Sequence, residues 1–89
     1  MIVSDVKIRK IFSGEPLKAV CSITLDNSIA VHDIKIVDVG GKLIVAMPSR
    51  NRTGGDYSDI VHPINSKARF EIETALMEEY RRIQSLNIN

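Results

Sequence analysis

The fold turns on Leu17-Lys18-Ala19-Val20-Cys21-Ser22-Ile23-Thr24-Leu25, then Asp26-Asn27-Ser28, then Ile29-Ala30-Val31-His32-Asp33-Ile34-Lys35-Ile36-Val37-Asp38-Val39. In the first run Leu17, Ala19, Cys21, Ile23 and Leu25 alternate with Lys18, Ser22 and Thr24, the period of a half-buried strand. The three polar residues that follow have the length of a hairpin connection, so the second run should pair antiparallel with the first. That second run changes phase. Ile29 and Val31 are apolar on odd positions, Ile34 and Ile36 on even ones, and His32-Asp33 sits at the switch. A slip of one residue turns half the apolar set to water unless the strand bulges, which predicts a bulge there.

Working outward, residues 2–12 alternate too. Ile2, Val6, Ile8 and Phe12 fall on one face, with Asp5, Lys7 and Arg9 on the other. Ser13-Gly14-Glu15-Pro16 is turn chemistry and joins this strand to the next. On the C-terminal side Gly40-Gly41 makes a tight turn into Leu43-Ile44-Val45-Ala46-Met47, apolar on both faces. That pattern suits a central strand or one covered by helix and partner. Residues 48–59 read as the only long loop, and Ile60-Val61-His62-Pro63-Ile64 as a short edge strand that tolerates proline. Asn65 or Ser66 is a credible N-cap for a helix to about Leu86. Ala68, Ile72, Ala75, Leu76, Tyr80 and Ile83 form the stripe that would cover the sheet, while Phe70 and Met77 form a second apolar patch on the far side. The class is α+β: an antiparallel sheet of four to five strands, about residues 2–64, followed by a long C-terminal helix, about 66–86, in one domain.

With 89 residues, 44% apolar and 26% charged, the chain is a folded globular domain rather than a disordered segment. A domain of this size buries only about 60–65% of its unfolded surface, so a partner that covers more apolar area would add stability. No apolar run suits a membrane span and Met1–Asp5 lacks a signal-peptide pattern, so no membrane partner is expected. The lone Cys21 fits a reduced, cytoplasmic setting.

The net charge of +1 points to no partner, but its distribution does. Residues 49–69 hold Arg50, Arg52, Lys67 and Arg69 against Asp56 and Asp59. Residues 70–89 reverse the balance, with Glu71, Glu73, Glu78 and Glu79 against Arg81 and Arg82. Lys67 and Arg69 fall in the first helical turn, where the helix dipole disfavours cations. Free backbone N–H groups there suit phosphate, and Arg50 and Arg52 add guanidinium groups suited to bidentate phosphate contacts. Tyr57 could stack a base. A second reading stays open: a solvated face on which Lys67 pairs with Glu71 and Arg69 with Glu73.

A catalytic reading would rest on His32, Asp33 and His62, with Ser22, Ser49, Ser58 or Cys21 as nucleophile. No Gly-x-Ser-x-Gly, His-x-x-x-His, Cys-x-x-Cys or phosphate-loop spacing supports it, so neither catalytic residues nor a metal or other cofactor is expected. Cys21, on the apolar face of its strand, reads as an inert core thiol.

The runs Ser22–Asp26, Val31–Ile34, Val45-Ala46-Met47-Pro48-Ser49, Gly55–Ile60, His62-Pro63-Ile64 and Glu79-Tyr80 resemble the stage V sporulation protein G (septation protein) family, over about Ile2 to Ile83. The resemblance implies a small bacterial regulator that is not an enzyme. Such a protein binds double-stranded DNA, and RNA in some cases, assembles as a homodimer, and acts in gene regulation, septation and sporulation. It takes no small-molecule substrate. A dimer would give the Phe70/Met77 patch or a sheet edge a use. The family commonly has two adjacent basic residues after Met-Pro-Ser; here Arg50 is followed by Asn51, and Arg52 comes one position later. The rival expectation is an adaptor of the division or transcription machinery that binds protein rather than nucleic acid.

Overall fold

The structure, a computed structural model, describes residues 1–14, 16–51, 54–55 and 57–86. Strands β1 (Val3–Ile11), β2 (Leu17–Leu25), β3 (Ile29–Val39) and β4 (Lys42–Ala46) form an antiparallel meander in that spatial order. Two short strands, β5 (Ser49–Asn51) and β6 (Tyr57–Asp59), pair separately, and helix α1 (Ser66–Leu86) follows. Among the described residues no helix is long and apolar enough to cross a membrane.

The turns explain the meander. Asp26 and Asn27 both hold left-handed backbone, φ 51° and 52°, which matches the twist of a hairpin. Asp26 also binds the start of the chain: its N–H donates to the Ile2 carbonyl (2.8 Å), and its Oδ1 accepts the Ile2 N–H (2.7 Å). At the β3–β4 turn Gly40 and Gly41 are left-handed, φ 61° and 88°, and Val39 faces Lys42 across a two-residue connection. A side chain at either glycine would strain that backbone.

The bulge in β3 lies where the phase change predicts it. Cys21 faces Ile34 and Ile23 faces Val31, so Ser22 alone spans His32 and Asp33. Asp33 takes φ 63°, the left-handed residue that lets Val31 and Ile34 both point inward. Strand β1 departs from its simple alternation for the same reason. Register shifts make Ser4 and Arg9 extra residues, so the inward set is Val3, Val6 and Ile8, and then the half-buried Ile11. Ile2, expected inside, is 67% exposed.

The core comprises Ala19, Cys21 and Ile23 of β2, Val31, Ile34 and Ile36 of β3, and Ile72, Leu76 and Tyr80 of α1. The helix buries the expected stripe on one face of the sheet. Its start is capped by Asn65, whose Oδ1 accepts the Ala68 N–H at 2.7 Å.

Four further expectations change. The segment 48–59 is not all loop, since β5 and β6 lie within it. Ile60–Ile64 forms no strand and leaves Ile60, Val61 and Ile64 exposed, because Pro63 lacks the donor a ladder needs. Strand β4 is an edge: Leu43 and Val45, with Met47 just beyond it, pack on the core while Ile44 faces outward. Met77 also packs against the core, which leaves Phe70 without it, 69% exposed at the flank of the helix near Met1 and Ile2.

Leu76 is fully buried, so Leu76→Ala should cost about 2–5 kcal/mol and lower the urea midpoint; an unchanged midpoint would remove it from the core. Burial pushes the Cys21 thiol up from 9.0 to about 11. Below pH 9.0 it is neutral in folded and unfolded chains alike. Between 9.0 and about 11 only the unfolded chain ionises, so this group's contribution to stability is lost as pH rises through that window. Urea titrations across it should show a steeper decline for the wild type than for Cys21→Ala, and parallel curves would refute the shift.

Candidate nucleic-acid interface

Arg50 lies in β5 and faces Ser58 of β6, while Tyr57 faces Asn51. Directly opposed residues share a face of a hairpin and adjacent ones alternate, so Arg50 and Tyr57 emerge on opposite faces. Tyr57 is 73% exposed and does not pack the hairpin onto the sheet. The base of the hairpin is closed by the Ile60 N–H, which donates to the Pro48 carbonyl at 2.7 Å. Arg52 lies outside the described residues.

Lys67 and Arg69 occupy the first turn of α1, which holds no acidic residue. Two positions apart on a helix, they point to opposite sides. Lys67 borders a recess with Met1, Asn65 and Glu71, whereas Arg69 borders another with the His62–Ser66 segment. Arg69 also reaches Glu73 at 3.6 Å, with both side chains largely in water, a contact worth well under about 1 kcal/mol. One of the two helical pairs expected for a solvated face thus forms, and it leaves the guanidinium exposed. Further along, Arg82 donates to both Glu79 oxygens, at 2.7 and 2.8 Å, and this hydrogen bonding holds the Glu79 carboxyl below its usual range.

The histidines part company. His62 Nδ1 bonds the Pro63 carbonyl at 3.2 Å, next door in the chain, and so serves its own bend. His32 Nδ1 lies 2.9 Å from Ser22 Oγ, which also accepts the Arg9 Nε–H at 3.3 Å. Ser22 is 6% exposed, the one buried polar residue of the described chain. Roofed by Arg9 and His32 and engaged by both, its hydroxyl is poorly placed as a nucleophile. Among the described residues no three His, Cys, Asp or Glu side chains converge as metal ligands.

The sequence places His32 at the bulge and names it with Ser22 only among several catalytic candidates, and it gives Arg9 no part in this Arg9–Ser22–His32 cluster. The signal lay in the bulges. One in β1 supplies Arg9 and one in β3 supplies His32, and both flank Ser22 on the central strand. Only the β3 bulge shows as a phase change in the apolar pattern.

Residues 1–82 match the SpoVG family model. Among curated proteins, one from Desulforudis audaxviator is 51% identical over 80 residues, covering 90% of this chain and 91% of its own. One from Acetivibrio thermocellus is 47% identical over 83 residues, covering 93% and 88%, and one from Clostridium perfringens is 41% identical over 88 residues, covering 99% and 98%. Each of the three bears the name "Putative septation protein SpoVG".

Proposed function

The chain belongs to the SpoVG family, and on that premise we propose that it is a homodimeric nucleic-acid-binding regulator of gene expression that acts in septation and cell division or sporulation. Arg50 of the hairpin and Arg52, with Lys67 and Arg69 of the first helical turn, contact phosphates, and Tyr57 is a lesser contributor. The observation that carries this reading is the exposure of Lys67 and Arg69 in a first helical turn without an acidic residue, together with that of Arg50 on the hairpin. A helix shaped only for stability would put carboxylates there. Cations at this end favour an anionic partner, and a polyanion engages several of them at once. The relatives' names speak of septation, and we take that process as the setting for this chain.

Dimerisation would double the footprint and fix the spacing of two basic sites. Phe70 is the natural contact, since it is exposed and borders a recess of about 380 Å³ with Met1, Ile2 and Ala75. The same exposed ring also serves the rival reading, an adaptor that binds another protein through this surface.

Two measurements decide these points. Fluorescence anisotropy on short double-stranded DNA and single-stranded RNA should give saturable binding that weakens steeply with salt. Arg50→Ala/Arg52→Ala should flatten the slope of log K against log salt by about 2–4 for the dimer while leaving the fold intact. Equal affinity in the double variant would move the site elsewhere, and no binding to either probe at low salt would favour the adaptor. In sedimentation, Phe70→Lys should run as a monomer where the wild type runs as a dimer. A variant that stays dimeric would place the interface on another surface.

A further inference from the structure

The helix covers one face of the four-stranded sheet, and the other face carries a charge pattern of its own. Lys7 faces Ser22 across the β1–β2 ladder, and Lys10 faces Val20, which faces Lys35 on β3. Directly opposed residues share a face, and Cys21, between Val20 and Ser22, is in the core. Lys7, Lys10 and Lys35 therefore all stand on the open side, and all are exposed. Simple alternation would instead have put Lys10 inside with Ile8. The Arg9 bulge reverses the phase, sending Ile11 inward and Lys10 outward.

The cluster at the centre is built rather than incidental. Arg9 and His32 come from bulges on opposite sides of β2 and meet over the buried Ser22 hydroxyl, at 3.3 and 2.9 Å. Bulges re-aim side chains in this way and are frequent next to functional sites. With Nε held by Ser22, the guanidinium of Arg9 keeps its two Nη groups for an external acceptor. Asp5, Lys7, Arg9, Ser22, Thr24 and His32 line a recess of about 150 Å³, two cations and an imidazole against one carboxylate. Among the described residues the ion pairs are Arg69–Glu73 and Arg82–Glu79, so none of Lys7, Arg9, Lys10 and Lys35 is in an ion pair with a described carboxylate. The acids of the C-terminal segment, Glu71, Glu73, Glu78 and Glu79, ride on the helix across the sheet.

We propose that the open face of the sheet binds the phosphodiester backbone of a nucleic acid, with Arg9, Ser22 and His32 at its centre and Lys7, Lys10 and Lys35 around them. The inference rests on the reading of the chain as a nucleic-acid-binding protein and adds a surface to it. Charge complementarity selects a polyanion. The recess presents imidazole and guanidinium groups, both partners of phosphate oxygens, held in place by the buried Ser22 hydroxyl. Between Lys10 and Lys35 the face offers Val20, and its apolar row of Leu17, Val37 and Ile44 lies beyond Lys35, away from the Arg9–Ser22–His32 recess, which itself has none of the large apolar anchors a bound peptide depends on. Phe12 is occupied beneath the Lys10 ammonium, 5.1 Å from its ring centre, and is no free platform for a base. Recognition through this face is therefore indifferent to base sequence and sensitive to salt.

The test compares wild type, Lys7→Gln/Arg9→Gln/Lys35→Gln, and Arg50→Ala/Arg52→Ala by anisotropy on short double-stranded DNA of arbitrary sequence across a salt series, with circular dichroism melting as the fold control. The sheet variant should lose about tenfold or more in affinity and show a shallower salt slope by about 2–3 per subunit engaged. The charge-preserving Lys7→Arg/Lys35→Arg, which leaves Arg9 on Ser22, should bind within about twofold of wild type. Wild-type affinity in the sheet variant, with binding lost in the hairpin variant, overturns this inference and leaves the proposed function standing. Wild type that binds no DNA at low salt overturns both. Labelled polyglutamate captured by the wild type and released by the sheet variant, with DNA affinity unchanged between them, overturns the nucleic acid as occupant in favour of an acidic protein segment.

Discussion

Ile34, Ile36 and Cys21 are wholly removed from water because α1 lies across one face of the sheet, and that burial governs the rest of the molecule. A chain of 89 residues has little apolar surface to spare. Every strand must present its apolar set to the same side, and where the sequence does not alternate cleanly the backbone has to give. The extra residues in β1, β2 and β3 are where it gives. Each costs regularity in the ladder, and Asp33 accepts a left-handed backbone that favours glycine or asparagine. The return is the inward placement of Val31 and Ile34 on β3 and of Val3, Val6 and Ile8 on β1.

The same bulges shape the opposite face. A residue added to bring the apolar side back into phase must put its own side chain somewhere, and in β1 that residue is Arg9. It reaches Ser22 just where the β3 bulge delivers His32. The polar cluster thus follows from the packing of the core beneath it. A buried hydroxyl with two partners is well satisfied, whereas one without them would cost about 1–3 kcal/mol. Of the buried side-chain polar atoms in the described chain, none lacks a hydrogen-bond partner.

Charge is unevenly spread between the layers. A net charge of +1 describes neither well, since α1 balances Glu71, Glu73, Glu78 and Glu79 against Lys67, Arg69, Arg81 and Arg82, while the open sheet face carries Lys7, Arg9, Lys10 and Lys35 beside Asp5. Such asymmetry gives the molecule an electrostatic direction, which orients a charged partner before contact. The hairpin and the helix start add Arg50, Lys67 and Arg69, dispersed over several faces rather than gathered in one pocket.

Much of this was legible before any coordinates. Period-two apolar runs, the polar Asp26-Asn27-Ser28 connection, Gly40-Gly41 and the helical stripe of Ile72, Leu76 and Tyr80 determine the order of elements, because local periodicity and turn chemistry depend on neighbours in the chain. The β3 bulge was legible for the same reason, its phase change being written in apolar residues. Tertiary structure alone decided the β1 bulge, since Lys10-Ile11-Phe12 admits either phase until the ladder to β2 chooses one. It decided that Met77 joins the core while Phe70 does not, a matter of which side of α1 meets the sheet's edge. It also decided that Arg9, Ser22 and His32 meet. Those residues lie ten or more positions apart, and only the register of three strands brings their side chains together. Register is a sum of many weak contacts along the whole sheet, which no local stretch of sequence contains.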